Sequence, residues 1–206
     1  YGSTTLGGAI NFVSPTGSDA DKLPGRFEGG SFGYIRSQIS SGQVLGPADY
    51  YVSVSQFKQD GFRDHTQQDN HYQFANVGYK INDELETRVY ANNAVIKAKL
   101  GGGLRKSQML SDPTQANASS VSGNQKRDME YFRIANKTTY QQDDVRFDFS
   151  LFGSKMDMFH PIFQVLDIDT INYGGEILFT NTADWMDKEN QLTVGFSPTL
   201  VYYTDD

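Results

Sequence analysis

The chain has 206 residues, no cysteine, and a formal net charge of −7 from 18 basic and 25 acidic residues. The absence of cysteine excludes a disulfide framework and thiol chemistry, and the acidic balance argues against nucleic acid as a partner. Hydrophobic residues make up 37% of the chain and aromatic residues 13%. This combination is typical of a barrel with a wet interior and an apolar outer band, and also of a loop-rich soluble β protein. No run approaches the roughly 18 apolar residues of a transmembrane helix, so a form that crosses a membrane would have to be a closed barrel.

The first stretch, YGSTTLGGAINFVSPTG, predicts a short, mostly apolar strand between two glycine-bearing turns. Ala9, Ile10, Phe12 and Val13 supply the apolar residues of this strand. Pro15 ends it because proline has no N–H to donate to a ladder. Residues 18–25 are polar, have little to bury, and predict a linker.

Strand signals then recur to the end of the chain, and no helical periodicity is sustained. The predicted strands lie near 25–32, 33–42, 49–59, 71–81, 84–97, 129–141, 144–156, 170–181 and 190–204. The clearest alternation places Val145, Phe147, Phe149 and Leu151 on one face, opposite Arg146, Asp148 and Ser150. Alternation indicates one apolar and one polar face. It leaves open which face is inside, because a soluble sandwich and a membrane barrel give opposite answers.

The predicted connections alternate between short and long. Short polar turns are expected at 43–48, 81–84 and 141–144, and long segments at 60–70, 98–128 and 157–169. Outer-membrane barrels have short periplasmic turns at one end and long extracellular loops at the other. The pattern therefore predicts that the long segments are extracellular. The short connection near Phe32 and the longer one at 182–189 depart from it.

Several of these stretches resemble, in order, segments of the TonB-dependent outer-membrane receptors, most of all the ferric-siderophore receptors. The turn Tyr1-Gly2, the pair Gly7-Gly8 and the strand 9–13 resemble the last strand of the plug domain. DGFRD at 60–64, LGGGL at 100–104 and HPIFQ at 160–164 resemble stretches of three successive extracellular loops. The resemblance covers nearly the whole chain.

The resemblance implies an all-β fold, namely an antiparallel transmembrane β-barrel preceded by the last strand of the plug. Residues 1–17 are expected to end the plug, 18–25 to form the linker, and 26–206 to form the first part of the barrel. About nine strands are expected here, whereas a barrel with a plugged lumen needs roughly 22. We therefore expect an internal fragment of a longer polypeptide, with the segment that contacts TonB upstream of it.

The resemblance also implies a function: TonB-dependent transport of an iron–siderophore complex across the outer membrane of a Gram-negative bacterium. The expected partners are TonB, a ferric siderophore or similar chelate, and outer-membrane lipid, with no nucleic acid. Loop residues with cationic groups or rings are the candidate ligand contacts, and they are Arg63, His65, Arg105, Lys106, His160 and Phe163. Arginine and lysine suit the anionic catecholate, hydroxamate or citrate oxygens of such chelates.

Motifs for catalysis, metal binding or a cofactor are lacking. His65 and His71 are six residues apart in a polar stretch, which is not the spacing of a helical metal site. The glycines at 101–103 lack the Lys-Ser/Thr that follows in a phosphate-binding loop. The sequence therefore predicts no enzyme, and two alternatives stay open: a cobalamin or saccharide importer of the same fold, and a soluble or secreted β-rich binding or adhesion module.

Overall fold

A computed structural model describes residues 13–20, 23–185 and 188–205. These residues form one antiparallel sheet, as predicted, and two short helices, which were not predicted. The strands are β1 (Gly25–Gly29), β2 (Ile35–Leu45), β3 (Ala48–Gln59), β4 (Gln68–Lys80), β5 (Leu85–Lys99), β6 (Lys126–Gln142), β7 (Val145–Pro161), β8 (Val165–Trp185), β9 (Lys188–Phe196) and β10 (Thr199–Asp205). The helices are α1 (Lys106–Ser111) and α2 (Ala118–Ser122). The predicted plug strand falls almost entirely on residues 1–12, which lie outside the described residues.

The strands follow one another across the sheet in chain order from β1 to β8. Both β9 and β10 pair with β8 and keep the same register, with Phe196 opposite Ile177 and Thr199 opposite Gly174. Pro198 lies between them and has no N–H to donate, although its carbonyl accepts from the Gly175 N–H at 3.1 Å. The two segments are therefore one strand with a break in its ladder, and the expectation of about nine strands is confirmed.

Connections emerge alternately at the two ends of the sheet, and the two longest, 60–67 and 100–125, share one end. The turns at 46–47, 81–84 and 143–144 lie at one end, called here the turn end. The connections at 30–34, 60–67, 100–125 and 162–164 lie at the other, called here the loop end. Every strand is antiparallel to its neighbour, so consecutive connections must emerge at alternate ends.

The long loop predicted at 157–169 is wrong. Strand β7 continues to Pro161 and β8 begins at Val165, with Asp157 directly opposite Asp169, so only 162–164 are unpaired. Asp157, Asp167 and Asp169 interrupt the apolar alternation by which residues 145–151 were predicted to form a strand. Backbone pairing does not require an apolar face, and the ladder continues beyond the point where the apolar residues stop.

The two faces of the sheet differ sharply in polarity. Among the described residues, most fully buried side chains are polar: Ser40, Asn70, Asn76, Arg88, Ser120, Asp148, His160 and Thr170, against the apolar Tyr51 and Ile168. On the opposite face, large apolar side chains are exposed, including Phe147, Phe149 and Leu151. A soluble sheet buries its apolar face and solvates the polar one. Here the apolar face, called the outer face below, is bare, and the polar face, called the inner face, carries the buried contacts.

Candidate functional site

The loop end carries all six candidate ligand contacts. Arg63 and His65 lie in the connection 60–67, and Arg105 and Lys106 lie where the connection 100–125 enters α1. His160 is in β7, not in a loop as predicted, and Phe163 is in the turn 162–164. The structure divides these residues into a group that holds the loops together and a group that projects into solvent.

Arg63 ties two loops together. Its guanidinium donates to three carbonyls of the 100–125 connection: Nη1 to Gly102 at 2.8 Å, Nη2 to Gly101 at 3.0 Å, and Nε to Gln115 at 3.0 Å. The neighbouring Asp64 N–H donates to the Thr114 carbonyl at 2.8 Å. A planar, permanently charged fork suits this convergence of carbonyl oxygens. The Arg63 side chain thereby fixes the course of the longest loop.

The two histidines bond to consecutive carbonyls where this loop rejoins the sheet. His65 Nε2 donates to the Gln125 carbonyl at 2.9 Å, and His160 Nδ1 donates to the Lys126 carbonyl at 2.7 Å. His160 is buried, and Arg127 Nη2 lies 3.5 Å from its other ring nitrogen. Both nitrogens of His160 are therefore engaged with protein groups. His65 adopts a left-handed backbone (φ 56°), which is uncommon for a side chain other than glycine.

Arg105, Lys106 and Phe163 are the group that projects into solvent. Arg105 and Lys106 are exposed at the start of α1, where the Arg105 backbone N–H donates to the Gln108 side chain at 2.9 Å. The Phe163 side chain is 86% exposed at the tip of the β7–β8 hairpin. Two cations and an aromatic ring are therefore free to meet a ligand approaching the loop end.

The loop 100–125 is itself ordered by local polar contacts. Its two helices were not predicted, because five or six residues are too few to show helical periodicity. The Asn117 side chain caps α2 by accepting from the Ser119 N–H at 2.9 Å. The Thr114 hydroxyl and backbone N–H bond the Asp112 carboxylate and hold the pKa of Asp112 below its ordinary value.

A second cluster lies on the inner face near the turn end and holds Pro15 and Gly17 against the sheet. These two residues end the segment predicted as the plug (1–17) and directly precede the predicted linker (18–25), and they are counted with the linker below. The cluster consists of Asp49, Asn76 and Arg88, called here the linker clamp. Arg88 makes two bonds to the Asp49 carboxylate, at 2.8 and 2.6 Å, and a third to Asn76 Oδ1 at 2.7 Å. Asp49 also accepts from the Gly17 N–H at 2.9 Å, and Asn76 donates to the Pro15 carbonyl at 2.9 Å. The Asn76 residue is only 1% exposed.

The linker lies so close to the wall that only glycine fits at position 17. A Cβ on Gly17 would lie 2.8 Å from both the Asp49 Cβ and the Tyr50 carbonyl oxygen, much closer than ordinary van der Waals contact. The clamp therefore binds the backbone of the linker, and the linker lies against the inner face of the sheet. This cluster was not predicted from the sequence, because the partners of Arg88 are 12 and 39 residues away in the chain and meet it only through the strand register.

Metal and membrane-helix features are absent from the described part of the chain. No group of three or more His, Cys, Asp or Glu side chains there can hold a metal ion. No helix there is long and apolar enough to cross a membrane.

Three solved structures share this fold. The ferric citrate transporter FecA, in its unliganded form, matches with a TM-score of 0.71 and 12% identity over 85% of this chain. FpvA of P. aeruginosa bound to a heterologous pyoverdine with iron matches with a TM-score of 0.65 and 13% identity over 88%. FpvAI in complex with pyocin S2 matches with a TM-score of 0.62 and 17% identity over 88%. The matched part is 28% of the length of each of these proteins.

No protein-family model matches the chain. FecA and FpvA are TonB-dependent siderophore receptors, the group that the sequence motifs resemble. The resemblance is thus confirmed for the fold: the chain is built like a part of their barrel.

Proposed function

We propose that this chain is the first part of the barrel of a TonB-dependent outer-membrane receptor that imports an iron–siderophore complex. In this proposal the outer face contacts lipid and the inner face encloses a plug. The loops at the loop end face the outside of the cell. TonB acts on the plug, which the linker joins to the barrel wall.

The observation that carries the proposal is the reversed polarity of the sheet together with the linker on its polar face. In lipid the exposed apolar residues of the outer face are favourably placed. In water the same face would be a large bare patch of aromatic and branched side chains. The soluble binding module is therefore disfavoured. A linker bonded to the inner face is what a barrel with an internal plug requires.

Ligand capture is assigned to the projecting group at the loop end. Arg105 and Lys106 carry exposed positive charge and Phe163 an exposed ring. Charged donors of this kind suit the anionic oxygens of an iron chelate. Arg63, His65 and His160 are proposed to act indirectly, because their polar atoms already bond backbone carbonyls of the 100–125 loop or of the first residue of β6.

The test is uptake of radioactive iron by cells that express or lack the full-length protein. Ferric citrate and ferric pyoverdine are suitable probes because the structural neighbours bind these compounds or are named for them. Expression should increase uptake of at least one ferric chelate, and removal of TonB should abolish the increase. Uptake of labelled cobalamin or a saccharide in place of iron would identify the alternative importer. No transport of any of these would refute the proposal.

The site is tested with a double variant and a matched control. Arg105→Gln with Lys106→Gln should weaken chelate binding, since both cations project from the loop end. Lys80→Gln changes another exposed cation, at the turn end, and should leave binding unchanged. An equal loss of chelate binding in the double variant and in Lys80→Gln would indicate a general effect of charge. It would refute the assignment of Arg105 and Lys106 as ligand contacts.

A further inference from the structure

A pair of amide side chains lies on the outer face of the sheet. Gln73 in β4 and Asn93 in β5 are directly opposite each other, and Asn93 Nδ2 donates to Gln73 Oε1 at 2.6 Å. Their neighbours in the same row are Val54 in β3 and Phe132 in β6. The bond satisfies only part of the pair, because the Gln73 amide nitrogen and the Asn93 carbonyl oxygen have no partner within the described residues.

The surroundings of the amide pair favour a protein neighbour over lipid. Hydrocarbon offers no hydrogen-bond partner, so an unpaired amide group that faces it costs free energy. One row nearer the turn end, Ala75 lies opposite Ala91. Such short side chains let a second protein surface come close to the amides.

The charges nearer the loop end alternate in sign. Four charged residues occupy one row across β3, β4, β5 and β6, namely Lys58, Asp69, Lys97 and Asp128. Asp60, Lys99 and Lys126 line the same part of the surface, so both signs are well represented. Lys58 pairs with Asp69 at 3.1 Å, whereas Lys97 makes no ion pair within the described residues. Reversing the order of the row exchanges the two signs, so that each lysine faces an aspartate.

A two-fold axis between β4 and β5 makes both features self-complementary. In a contact with this symmetry the same patch of each copy meets itself in reversed order. Asp69 of one copy then faces Lys97 of the other, and the free Gln73 nitrogen faces the free Asn93 oxygen. Both contacts occur twice. These residues are next to the axis, where the tilt of the strands displaces them least.

We infer that the outer face of β4 and β5 binds a second copy of this chain, through a symmetric contact centred between the two strands. The inference rests on the proposed function, because the free amide groups need a protein partner only if the outer face contacts a membrane. A second copy is the occupant that fits, since the patch complements itself in both charge and hydrogen bonding. The contact leaves the inner face and the loop end of each copy free.

The first test is disulfide cross-linking of the full-length protein, free of other cysteines, in native membranes. This part of the chain has no cysteine, and a cysteine in place of Ala91 would lie beside the axis. Gly153→Cys is the matched control, because Gly153 lies in the same row of the outer face, two strands away. Mild oxidation should convert Ala91→Cys to dimers and leave Gly153→Cys monomeric. No dimer from Ala91→Cys, or equal dimer from both variants, would overturn the inference.

The second test exchanges charges between two copies that carry different affinity tags. Asp69→Lys and Lys97→Asp each place like charges opposite each other at the axis, so neither variant should dimerise with itself. Co-expression of the two variants restores opposite charges at both contacts, and capture of one tag should recover the other. Failure to recover it, with both variants inserted in the membrane, would overturn the inference.

The amide contact is tested separately with Gln73→Leu and Asn93→Leu combined. Dimerisation in lipid vesicles should weaken roughly tenfold, if each of the two lost hydrogen bonds contributes about threefold. Unchanged dimerisation would refute the role of the amides.

The outcomes separate the dimer from the proposed function. A monomeric protein that still imports iron would refute only the dimer. A cross-linked product with a mass other than that of two copies would identify a different membrane protein as the occupant and would likewise refute it. Extraction of the full-length protein from membranes by carbonate would instead refute the proposed membrane location.

Discussion

The inner and outer faces of the sheet are stabilised by different interactions. On the inner face, Arg88 and Asn76 are buried, Asp49 is half-buried, and the three side chains satisfy one another with short hydrogen bonds. On the outer face, Phe149 and its neighbours Phe147 and Leu151 are exposed, and no described element covers them. The comparison shows that stability on the inner face depends on polar complementarity, and on the outer face on the surrounding medium. Substitutions on the two faces should therefore lower the stability of the protein for different reasons.

The largest effect is expected from Arg88→Ala in the linker clamp. Removal of the guanidinium leaves the Asp49 carboxylate, whose side chain is 15% exposed, without its main partner. Breaking a buried pair in this way costs about 3–5 kcal/mol. Denaturant unfolding of the full-length protein in lipid vesicles measures the loss.

The matched control for this prediction is Arg146→Ala. Arg146 pairs with Asp148 on the same face, but its side chain is 43% exposed, and Asp148 keeps Lys137 and Thr139 as partners. An exposed pair contributes up to about 1 kcal/mol. Similar losses in both variants would contradict the role assigned to the clamp.

A smaller effect is expected from a charge on the outer face. Phe149→Arg places a cation among the apolar side chains and should lower the stability of the barrel in lipid by about 2–4 kcal/mol near the midplane. Ser150→Arg puts the same cation on the inner face, one residue along β7. Its effect on unfolding in vesicles should be much smaller, and a reversed order would mean that the faces are assigned the wrong way round.

The next effect is local to the loop end. Arg63→Gln removes the charge from the hydrogen bonds to the 100–125 loop, and because the glutamine amide can still donate to one of the carbonyls, the local loss should be about 1.5–3 kcal/mol and should raise amide hydrogen exchange within that loop. Exchange in the strands should be unchanged. Arg105→Gln is the control, and faster exchange in that variant as well would show that Arg63 is not the tie.

The smallest effect is expected from Asn117→Ala. Loss of the cap of α2 should destabilise this helix by about 1 kcal/mol. Faster proteolysis at 118–123, with unchanged unfolding of the barrel, is the expected result. An unchanged rate of cleavage would show that other loop contacts hold α2 in place.

The sequence predicted the strands well because alternation and turn residues are local signals. The short turns at 81–84 and 143–144 are where the polar clusters indicated them. The end of β7 was missed because the alternation of apolar and polar residues stops before Asp157. The backbone pairing nevertheless continues towards the loop end, where Asp157 lies opposite Asp169. The linker clamp was missed for a related reason: Gly17, Asp49 and Arg88 meet only once the register of β3, β4 and β5 is known.

The candidate contacts were predicted as one class, and the structure separates them. A cationic residue in a loop has the same appearance in sequence whether it bonds carbonyls, as Arg63 does, or projects, as Lys106 does. Only the distances to Gly101, Gly102 and Gln115 distinguish the two roles. Whether the projecting group contacts a chelate stays a prediction.

The measurement that tests the central claim most directly is a spin-label scan of residues 145–151 in β7 of the full-length protein in lipid vesicles. Labels at 145, 147, 149 and 151 should collide with oxygen dissolved in the bilayer and be shielded from a water-soluble nickel chelate. Labels at 146, 148 and 150 should show low oxygen accessibility. This alternation with a period of two would place the apolar face in lipid. Equal accessibility at all positions, or the reversed alternation, would contradict the assignment of the two faces.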